Sequence, residues 1–531
     1  MRFVFVLLLV AALALPAASA GSLSPVFGVS GAPRFDAYTI PEDLPSAHGA
    51  AEPTLGISPT TRQVYFQAFA DTYQATFDDT TLPPTPAWRD VSPLFTPINV
   101  DPMLHVDEQT GRIFAGGLIG PCSLMGISDD EGATWTPTGN MCSGAQFDHQ
   151  SVGSGPWSTT SPDSVARELV YPRATYYCAQ LQLTACATSV DGGRVFLPFT
   201  EVTGGCGGLH GHISVSEVTG FAAVPHGGCA GPEANTPLDG GSLVGFAYSD
   251  NNGATWQTRV MPQAEDGTGF DPDLAFSRES GWLWLAQADE AGIHIALSKD
   301  EGQNWEQLGA NTPSGVTSTW FDLAPTFIDP ETGDALVYGA FPDLEAGDDN
   351  RAALAFLGTT DPAGVEPFTD CSEVSDANVW HYYLSQTFDG GATWTTTRLS
   401  EDPVQIGAIW NGGGGDPCRN LLDFHDMDMD SQGRLHIALS DGCTKACAEQ
   451  YAAWKEGNAQ KPVGADSRDS WGTILRQTTG LGLLSEFDGA SVPGVPVGNE
   501  PGSDGSTAKG TPSLPVGLAL LALAGLALRR R

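Results

Sequence analysis

An octapeptide of the form S-x-D-x-G-x-T-W recurs along this chain and restricts its fold more than any other feature. Three copies match closely, at Ser128–Trp135, Ser298–Trp305 and Thr387–Trp394. Ser249–Trp256 has Asn in place of the Asp, and Ser189–Phe196 has Phe in place of the Trp. Internal repetition of this kind predicts an array of similar structural units.

The residues of the octapeptide are those of a β-hairpin turn. Its Asp can accept hydrogen bonds from nearby backbone N–H groups, and the Gly two residues later permits a positive φ. The aromatic residue then begins the next strand and packs inward. Apolar runs such as 243–248 and 293–297 precede the motif, as a hairpin requires.

A second repeat lies between the octapeptides. An acidic residue or His begins a short strand with apolar residues at alternate positions, and a turn follows ten residues later. The starts and turns pair as Glu52 with Arg62, Asp101 with Gly111, His210 with Gly220, Asp271 with Gly281, and Asp423 with Gly433. Phe327 with Gly333 fits a sixth unit at a different spacing, and Asp148-His149 opens a less regular one.

Each unit is therefore predicted to contain four antiparallel strands, which is the composition of a propeller blade. The sequence predicts an all-β fold, a β-propeller of four-stranded antiparallel blades. We count seven units, beginning near residues 52, 101, 148, 210, 271, 322 and 423, and six blades is the alternative if two irregular units merge. Residues 343–377 are interpreted as an insertion in the sixth unit.

The octapeptide resembles the Asp box, or BNR repeat, of the sialidase-like propellers. The resemblance implies that the motif is structural and lies on the blade periphery, and it suggests an exo-glycosidase. Sialic acid hydrolysis requires an Arg cluster for the substrate carboxylate, a Tyr nucleophile with a Glu partner, and an Asp acid/base. The family's Phe-Arg-Ile-Pro motif is absent, and 33–35 and 111–114 are poor substitutes. No sialidase catalytic residue is therefore assigned.

The starts of the innermost strands of a propeller converge at one mouth of a central channel, where ligands usually bind. The predicted ligand-binding residues at this mouth are Glu52, Asp101, Asp148, Asp271, Asp273, Asp322, Asp423 and Asp426. The predicted metal ligands are His149, His210, His212 and His425. Carboxylates and imidazoles suit a hard cation or Zn²⁺, so a divalent metal is the one cofactor that the residues suggest. The alternative is that these side chains cap neighbouring strands and form hydrogen bonds between blades.

The first twenty residues have the features of a signal peptide. Arg2 precedes an apolar stretch over 3–15, and a small-residue cleavage site ends at Ala20. Export to an oxidising compartment agrees with ten cysteines, for which we predict disulfides between sequence neighbours. The predicted pairs are Cys122–Cys142, Cys178–Cys186 and Cys206–Cys229, and the other four cysteines can pair in three ways.

The remainder of the chain divides into three predicted parts. Residues 21–487 form the propeller, 488–512 form a linker rich in Gly, Pro and Ser, and 513–531 form an anchor or sorting tail. The tail resembles prokaryotic sorting tails of the PEP-CTERM and PGF-CTERM kind, which implies display at the cell surface. The signature tripeptide of those tails is replaced by Ser513-Leu514-Pro515, and a simple membrane anchor is the alternative.

The chain is strongly acidic, with 63 acidic residues against 24 basic ones and a formal charge of −39. Such a surface repels nucleic acid, so the expected partners are an extracellular glycan or protein and, through the tail, the membrane. Two functions agree with these features: a binding propeller at the cell surface, or an extracellular glycoside hydrolase with its active site at the channel mouth.

Overall fold

Seven antiparallel sheets follow one another along the chain, and the first strand of each lines one central channel. The structure, a computed structural model, describes residues 27–50, 52–81, 83–95, 101–120, 122–139, 141–142, 148–180, 184–202, 206–230, 243–265, 272–289, 292–360, 378–407, 421, 424–460 and 470–489. The arrangement confirms the predicted seven-bladed β-propeller. The predicted signal peptide and sorting tail lie outside the described residues.

The strands of each blade are named in order from the innermost to the outermost. Blade 1 contains Thr54–Ile57, Val64–Ala68, Asp71–Asp78 and Thr85–Asp90; blade 2 contains Pro102–Val106, Ile113–Ile119 and Cys122–Ser128, with Thr136–Pro137 and Met141–Cys142 at its outer edge. Blade 3 contains Asp148–Pro156, Arg173–Gln180, Thr184–Ser189 and Thr200–Glu201. Blade 4 has a divided inner strand, Cys206–His210 and Ser214–Val215, followed by Ala222–Cys229, Leu243–Ser249 and Gln257–Glu265.

The other three blades continue in the same order. Blade 5 contains Asp273–Phe276, Leu283–Asp289, Gly292–Ser298 and Phe321–Asp322; blade 6 contains Tyr338–Ala346, Ala352–Thr359, Val379–Thr387 and Thr395–Arg398, with Gln405–Ile406 also paired to the third strand. Blade 7 contains Asp426–Met429, Leu435–Asp441, Trp471–Thr479 and, from the other end of the chain, Arg34–Thr39.

The ring is closed by an N-terminal strand. Arg34–Thr39 pairs antiparallel with Trp471–Thr479, and Ala37 lies opposite Leu475. Strands from the beginning and the end of the described chain therefore share blade 7, so the two ends hold the ring together through backbone hydrogen bonds.

The hydrophobic core lies between the blades. One cluster of buried apolar side chains fills each junction between neighbouring blades, including the junction of blade 7 with blade 1. The octapeptides contribute to these junctions, since Trp394 of blade 6 packs edge-on against Trp284 of blade 5, with ring centroids 5.9 Å apart. Burial of apolar area between sheets therefore holds the ring together.

The octapeptides form the predicted turn between the third and fourth strands. In the first copy, the Thr134 N–H donates to Asp130 Oδ1 at 2.8 Å, and the Gly132 N–H donates to Ser128 Oγ at 3.0 Å. Gly132 has a φ of 75°, which a residue with a Cβ adopts only with strain. The other four copies have the same pair of bonds.

The sixth blade begins later than predicted. Its inner strand is Tyr338–Ala346, and Phe321–Asp322 is instead the outermost strand of blade 5. The prediction was misled by the turn at Gly333, whose N–H donates to the carbonyl of Asp329, four residues earlier, as the turn residue does in the first hairpins of blades 1, 2, 4 and 5. Around that turn only a single bridge forms, between Ile328 and Ala335. The proposed insertion at 343–377 is wrong for 343–346 and 352–359, which are strands.

The three predicted disulfides are confirmed: Cys122–Cys142, Cys178–Cys186 and Cys206–Cys229. A fourth, Cys443–Cys447, lies at the start of the helix Ala446–Lys455. Four disulfides are typical of exported proteins. Cys371 and Cys418 lie outside the described residues.

The described helices are short connections between strands. They are the α-helices Ser164–Glu168 and Ala446–Lys455 and the 3₁₀ turns Ala324–Thr326 and Ser485–Phe487. Within the described ranges, none has the length and apolar character of a membrane span.

Candidate functional site in the central channel

The inner strands of all seven blades line one cavity of about 170 Å³ in the central channel. Because side chains alternate between the two faces of a strand, residues two apart on an inner strand lie on the same face of it. The lining is strongly acidic. Its ionisable residues are Glu108, Glu217, Asp273, Glu345, Asp343, Asp426, Asp428, Arg278, His105 and His212.

Four of these residues form an upper tier: His212, Asp273, Asp343 and Asp426. Asp273 and Asp426 begin their inner strands, whereas Asp343 follows the irregularity in Tyr338–Ala346. His212, Asp343 and Asp426 come from three different blades, and one potential metal-ligating atom of each lies within 4.8 Å of the others. His212 follows the first segment of the inner strand of blade 4, and the two carboxylates lie on the inner strands of blades 6 and 7. The upper tier is thus held by the backbone ladders of separate sheets.

The carboxylates of the upper tier also join neighbouring blades. The Leu344 N–H of blade 6 donates to Asp273 Oδ2 of blade 5 at 2.7 Å. The Met427 N–H of blade 7 donates in the same way to Asp343 of blade 6. These are the inter-blade hydrogen bonds that the sequence allowed as an alternative to metal binding. The two roles are compatible, because a carboxylate has two oxygens and each oxygen can accept more than one bond.

Burial and mutual repulsion keep protons on the upper tier. Burial raises the pKa of Asp273 to about 7. Burial, together with the negative charges of Asp273 and Asp426, raises the pKa of Asp343 well above its ordinary value. Burial, and next the negative charges of Asp428 and Asp273, raises the pKa of Asp426 well above its ordinary value. Near neutral pH the tier therefore holds fewer negative charges than it has carboxyl groups.

A lower tier lies two residues further along the inner strands. Glu345 follows Asp343 and Asp428 follows Asp426, so each pair shares one face of its strand. Burial raises the pKa of Asp428 to about 7 even though the positive charge of Arg278 acts in the opposite direction.

Arg278 is the cation of this lower level. It forms a salt bridge with Glu108, with 3.0 Å between Nη2 and Oε2. The charges of Glu345 and Asp428 also stabilise its guanidinium. The lower tier is therefore partly neutralised by the protein itself.

Aromatic rings lie against the histidines of the mouth. The Phe424 ring stacks on His212 with centroids 4.8 Å apart and an interplanar angle of 26°, and it contacts His149 edge-on at 4.9 Å. His149 and His210 are buried. Their ring centroids are 6.3 Å apart, and neither is among the residues that line the cavity.

The structure brings together only part of the predicted mouth. His212, Asp273 and Asp426 line the cavity, whereas Glu52, Asp101 and Asp148 precede or begin inner strands without lining it. Asp271 and Asp423 lie outside the described residues.

Two predicted positions are wrong. Asp322 lies on the outermost strand of blade 5, opposite His294, because the sixth unit was placed too early. His425 packs between the rings of Phe341 and Tyr382 at 5.1 and 5.2 Å. Since Asp426 lines the channel, its neighbour His425 faces the opposite side of the strand. Burial there lowers the pKa of His425 to about 3.

The prediction missed Asp343 and Glu345. A usable signal was present, because Pro342-Asp343-Leu344 repeats Pro272-Asp273-Leu274 at the start of another inner strand. The alternation of Asp343 with Glu345 also matches that of Asp426 with Asp428.

No model of a known protein family matches the chain, and neither does any curated protein. Among solved structures, the endo-arabinase from Bacteroides thetaiotaomicron VPI-5482 is 13% identical and has a TM-score of 0.29, with 65% of this chain and 90% of that chain covered. The alpha-L-arabinofuranosidase from Podospora anserina, in complex with cellotriose, is 8% identical and has a TM-score of 0.31, with 70% of this chain and 98% of that chain covered. The WD40 repeats of RRP9 are 8% identical and have a TM-score of 0.42, with 83% of this chain and 97% of that chain covered. Likenesses at this level carry no argument about a ligand or an activity.

Proposed function

We propose that this protein is a secreted, cell-surface-tethered propeller that binds an extracellular glycan at the mouth of its central channel. The observation that carries the proposal is the stack of Phe424 on His212, because His212 also belongs to the carboxylate cluster with Asp343 and Asp426. An aromatic face packs against the apolar face of a sugar ring, and carboxylates accept hydrogen bonds from its hydroxyl groups. A few polar groups beside an aromatic surface are typical of small-ligand sites.

The charge of the channel favours a neutral or basic sugar. Arg278 is the only Arg among the described residues that line the cavity, and it is paired with Glu108. A sugar carboxylate would meet the upper tier of carboxyl groups without an Arg cluster to bind it. The proposal therefore excludes sialic acid as the ligand, although the octapeptides resemble those of sialidase-like propellers.

Location at the cell surface is supported by the sequence of both termini and by the disulfides. Four disulfides agree with export, and residues 513–531 have the composition of an anchor or sorting tail. Fractionation of a native-like host tests the tether. We expect the full chain in the envelope fraction and a chain ending at Pro512 in the medium; equal release of both would contradict the tether.

Binding is tested with the purified mature protein on a glycan array, followed by titration of the best ligand. We expect Phe424→Ala to weaken binding at least tenfold and Phe424→Trp to retain it. Phe388→Ala is the matched control, since Phe388 is a half-buried aromatic residue in an octapeptide turn at the blade edge. If the array shows no glycan and a protein ligand is captured instead, or if both Ala variants bind equally, the proposal is wrong.

Glycoside hydrolysis is the second candidate, and one observation favours it. Asp273 begins the inner strand of blade 5, and Asp343 lies within the inner strand of blade 6. The two strands are joined through the Leu344 N–H, and the charge of Asp273 acts on Asp343. A protonated carboxyl beside an ionised one provides the acid and the base or nucleophile that most glycosidases use. With chromogenic glycosides, we expect Asp273→Asn to lower kcat at least a hundredfold while glycan binding remains. Absence of turnover by the wild-type protein would leave binding as the function.

A further inference from the structure

The upper tier has the dimensions of a metal site. His212, Asp343 and Asp426 each offer a ligating atom, and these atoms lie within 4.8 Å of one another. Bonds from zinc to nitrogen or oxygen are about 2.0–2.2 Å long, so atoms around one ion are separated by no more than roughly 4.4 Å. Small side-chain rotations would bring all three atoms onto a single ion. Their backbones need not move, because each lies in or beside the inner strand of a separate blade.

The charge distribution of the channel is unequal between its two tiers. The lower tier contains Arg278, which pairs with Glu108 and stabilises the charges of Glu345 and Asp428. Among the described residues that line the cavity, neither Lys nor a second Arg accompanies the upper tier. A buried carboxyl group stays protonated unless a counter-charge is present, and among the described lining residues a cationic side chain accompanies only the lower level.

We propose that His212, Asp343 and Asp426 bind one divalent transition-metal ion of the Zn²⁺ class at the upper end of the channel. One imidazole and two carboxylates are a donor set that zinc accepts, whereas Ca²⁺ takes six to eight oxygen ligands. Three protein ligands leave at least one coordination position free, and this position faces the channel. The ion is thereby accessible to a ligand at the mouth, but its binding does not depend on the glycan proposed above.

The test is a titration of the full mature protein, stripped of metal with EDTA, with ZnCl₂ alone. We expect one zinc ion per chain by elemental analysis and calorimetry, together with a rise in melting temperature, because binding to the folded state alone stabilises it. CaCl₂ at the same concentration is expected to have no such effect. Since the probe is the metal itself, this result is separate from the result of the glycan array.

The variants His212→Gln, Asp343→Asn and Asp426→Asn test the assignment of the ligands. Asn keeps an oxygen that can accept the inter-blade backbone hydrogen bond, so these variants are designed to fold, and the melting curve without metal checks this. Each is expected to weaken zinc binding at least a hundredfold, whereas Asp322→Asn, at an exposed position on blade 5, is expected to bind as the wild type does. The proposal is overturned if the wild-type protein takes up no zinc, if Ca²⁺ binds equally well, or if the ligand variants retain wild-type affinity.

Discussion

The Asp426 carboxylate accepts a hydrogen bond from the Leu55 N–H, 2.6 Å away, across the junction between the last blade and the first. This bond joins the inner strands of blades 7 and 1, and it acts beside the strand pairing inside blade 7 that closes the ring. In Asp426→Ala the buried N–H loses its acceptor, and we expect a loss of about 1–3 kcal/mol in the free energy of unfolding. In the absence of metal, the free energy of unfolding of Asp426→Asn should decrease by less than half as much, because Asn keeps an oxygen that accepts the bond. Urea denaturation measures both, and equal losses would contradict the role of the bond.

The guanidinium of Arg173, on blade 3, is buried between two carboxylates, those of Asp107 and Glu217. Arg173 Nε is 2.5 Å from Asp107 Oδ2, and the two side chains are 2% and 4% exposed. Arg173→Met leaves the Asp107 carboxylate buried without its cation, so we expect a loss of about 3–5 kcal/mol. The double variant Arg173→Met with Asp107→Asn should recover part of that loss. Denaturant titration of the single and double variants measures the coupling free energy between Arg173 and Asp107. If the losses of the two single variants simply add in the double variant, the two residues are not coupled.

The octapeptide turns contain a natural control for their Asp residue. Asp300 Oδ1 accepts the Asn304 N–H at 2.7 Å, and Asn251 accepts the Thr255 N–H in the same way at 3.0 Å. Asp300→Asn should therefore leave the free energy of unfolding nearly unchanged. Asp300→Ala should lower it by about 0.5–2 kcal/mol, as the loss of a comparable capping side chain does. Thermal melting distinguishes the two. Equal destabilisation by Asn and Ala would show that the turn does not depend on this acceptor.

Acidification should destabilise the propeller through His226. This side chain is fully buried, and neither ring nitrogen has a hydrogen-bond partner among the described residues. Burial, and next the neighbouring His210, lowers the pKa of His226 well below its ordinary value. The stabilising contribution of the neutral ring is therefore complete above about pH 6.5 and decreases as the pH falls towards the folded-state pKa.

His226→Leu should remove this dependence. Between pH 7 and 5 we expect the wild-type protein to lose about 2 kcal/mol more than the variant. His48→Gln, at an exposed position, should behave as the wild type does. If wild type and His226→Leu lose stability in parallel, His226 has no part in the acid sensitivity.

The fold could be predicted because its determinants are local. The turn around Asp130 is closed by bonds that span four residues, so an octapeptide contains the information for it. The start of blade 6 was misplaced for the same reason: the turn from Asp329 to Gly333 has the local signature of a first hairpin, yet its flanking residues pair only once. Whether strands continue from such a turn depends on packing against neighbouring blades, which a short motif does not encode.

The site was partly predictable. The repeated strand starts placed Asp273 and Asp426 at the channel, and His212 follows from the same pattern. His425 was assigned to the wrong face, although the alternation of a strand rules out that both it and Asp426 point into the channel. Asp343 was missed because its strand was taken for an insertion. Proximity of His212 to Asp343 depends on closure of the ring between blades 4 and 6, and no local sequence pattern specifies that distance.

The most direct test of the central claim is a crystal structure of the mature protein soaked with the glycan that the array selects. We predict density for the sugar at the mouth of the channel, in contact with the Phe424 ring and within hydrogen-bond distance of His212, Asp343 or Asp426. Sugar density on the outer rim of the blades, with none at the mouth, would contradict the proposed function.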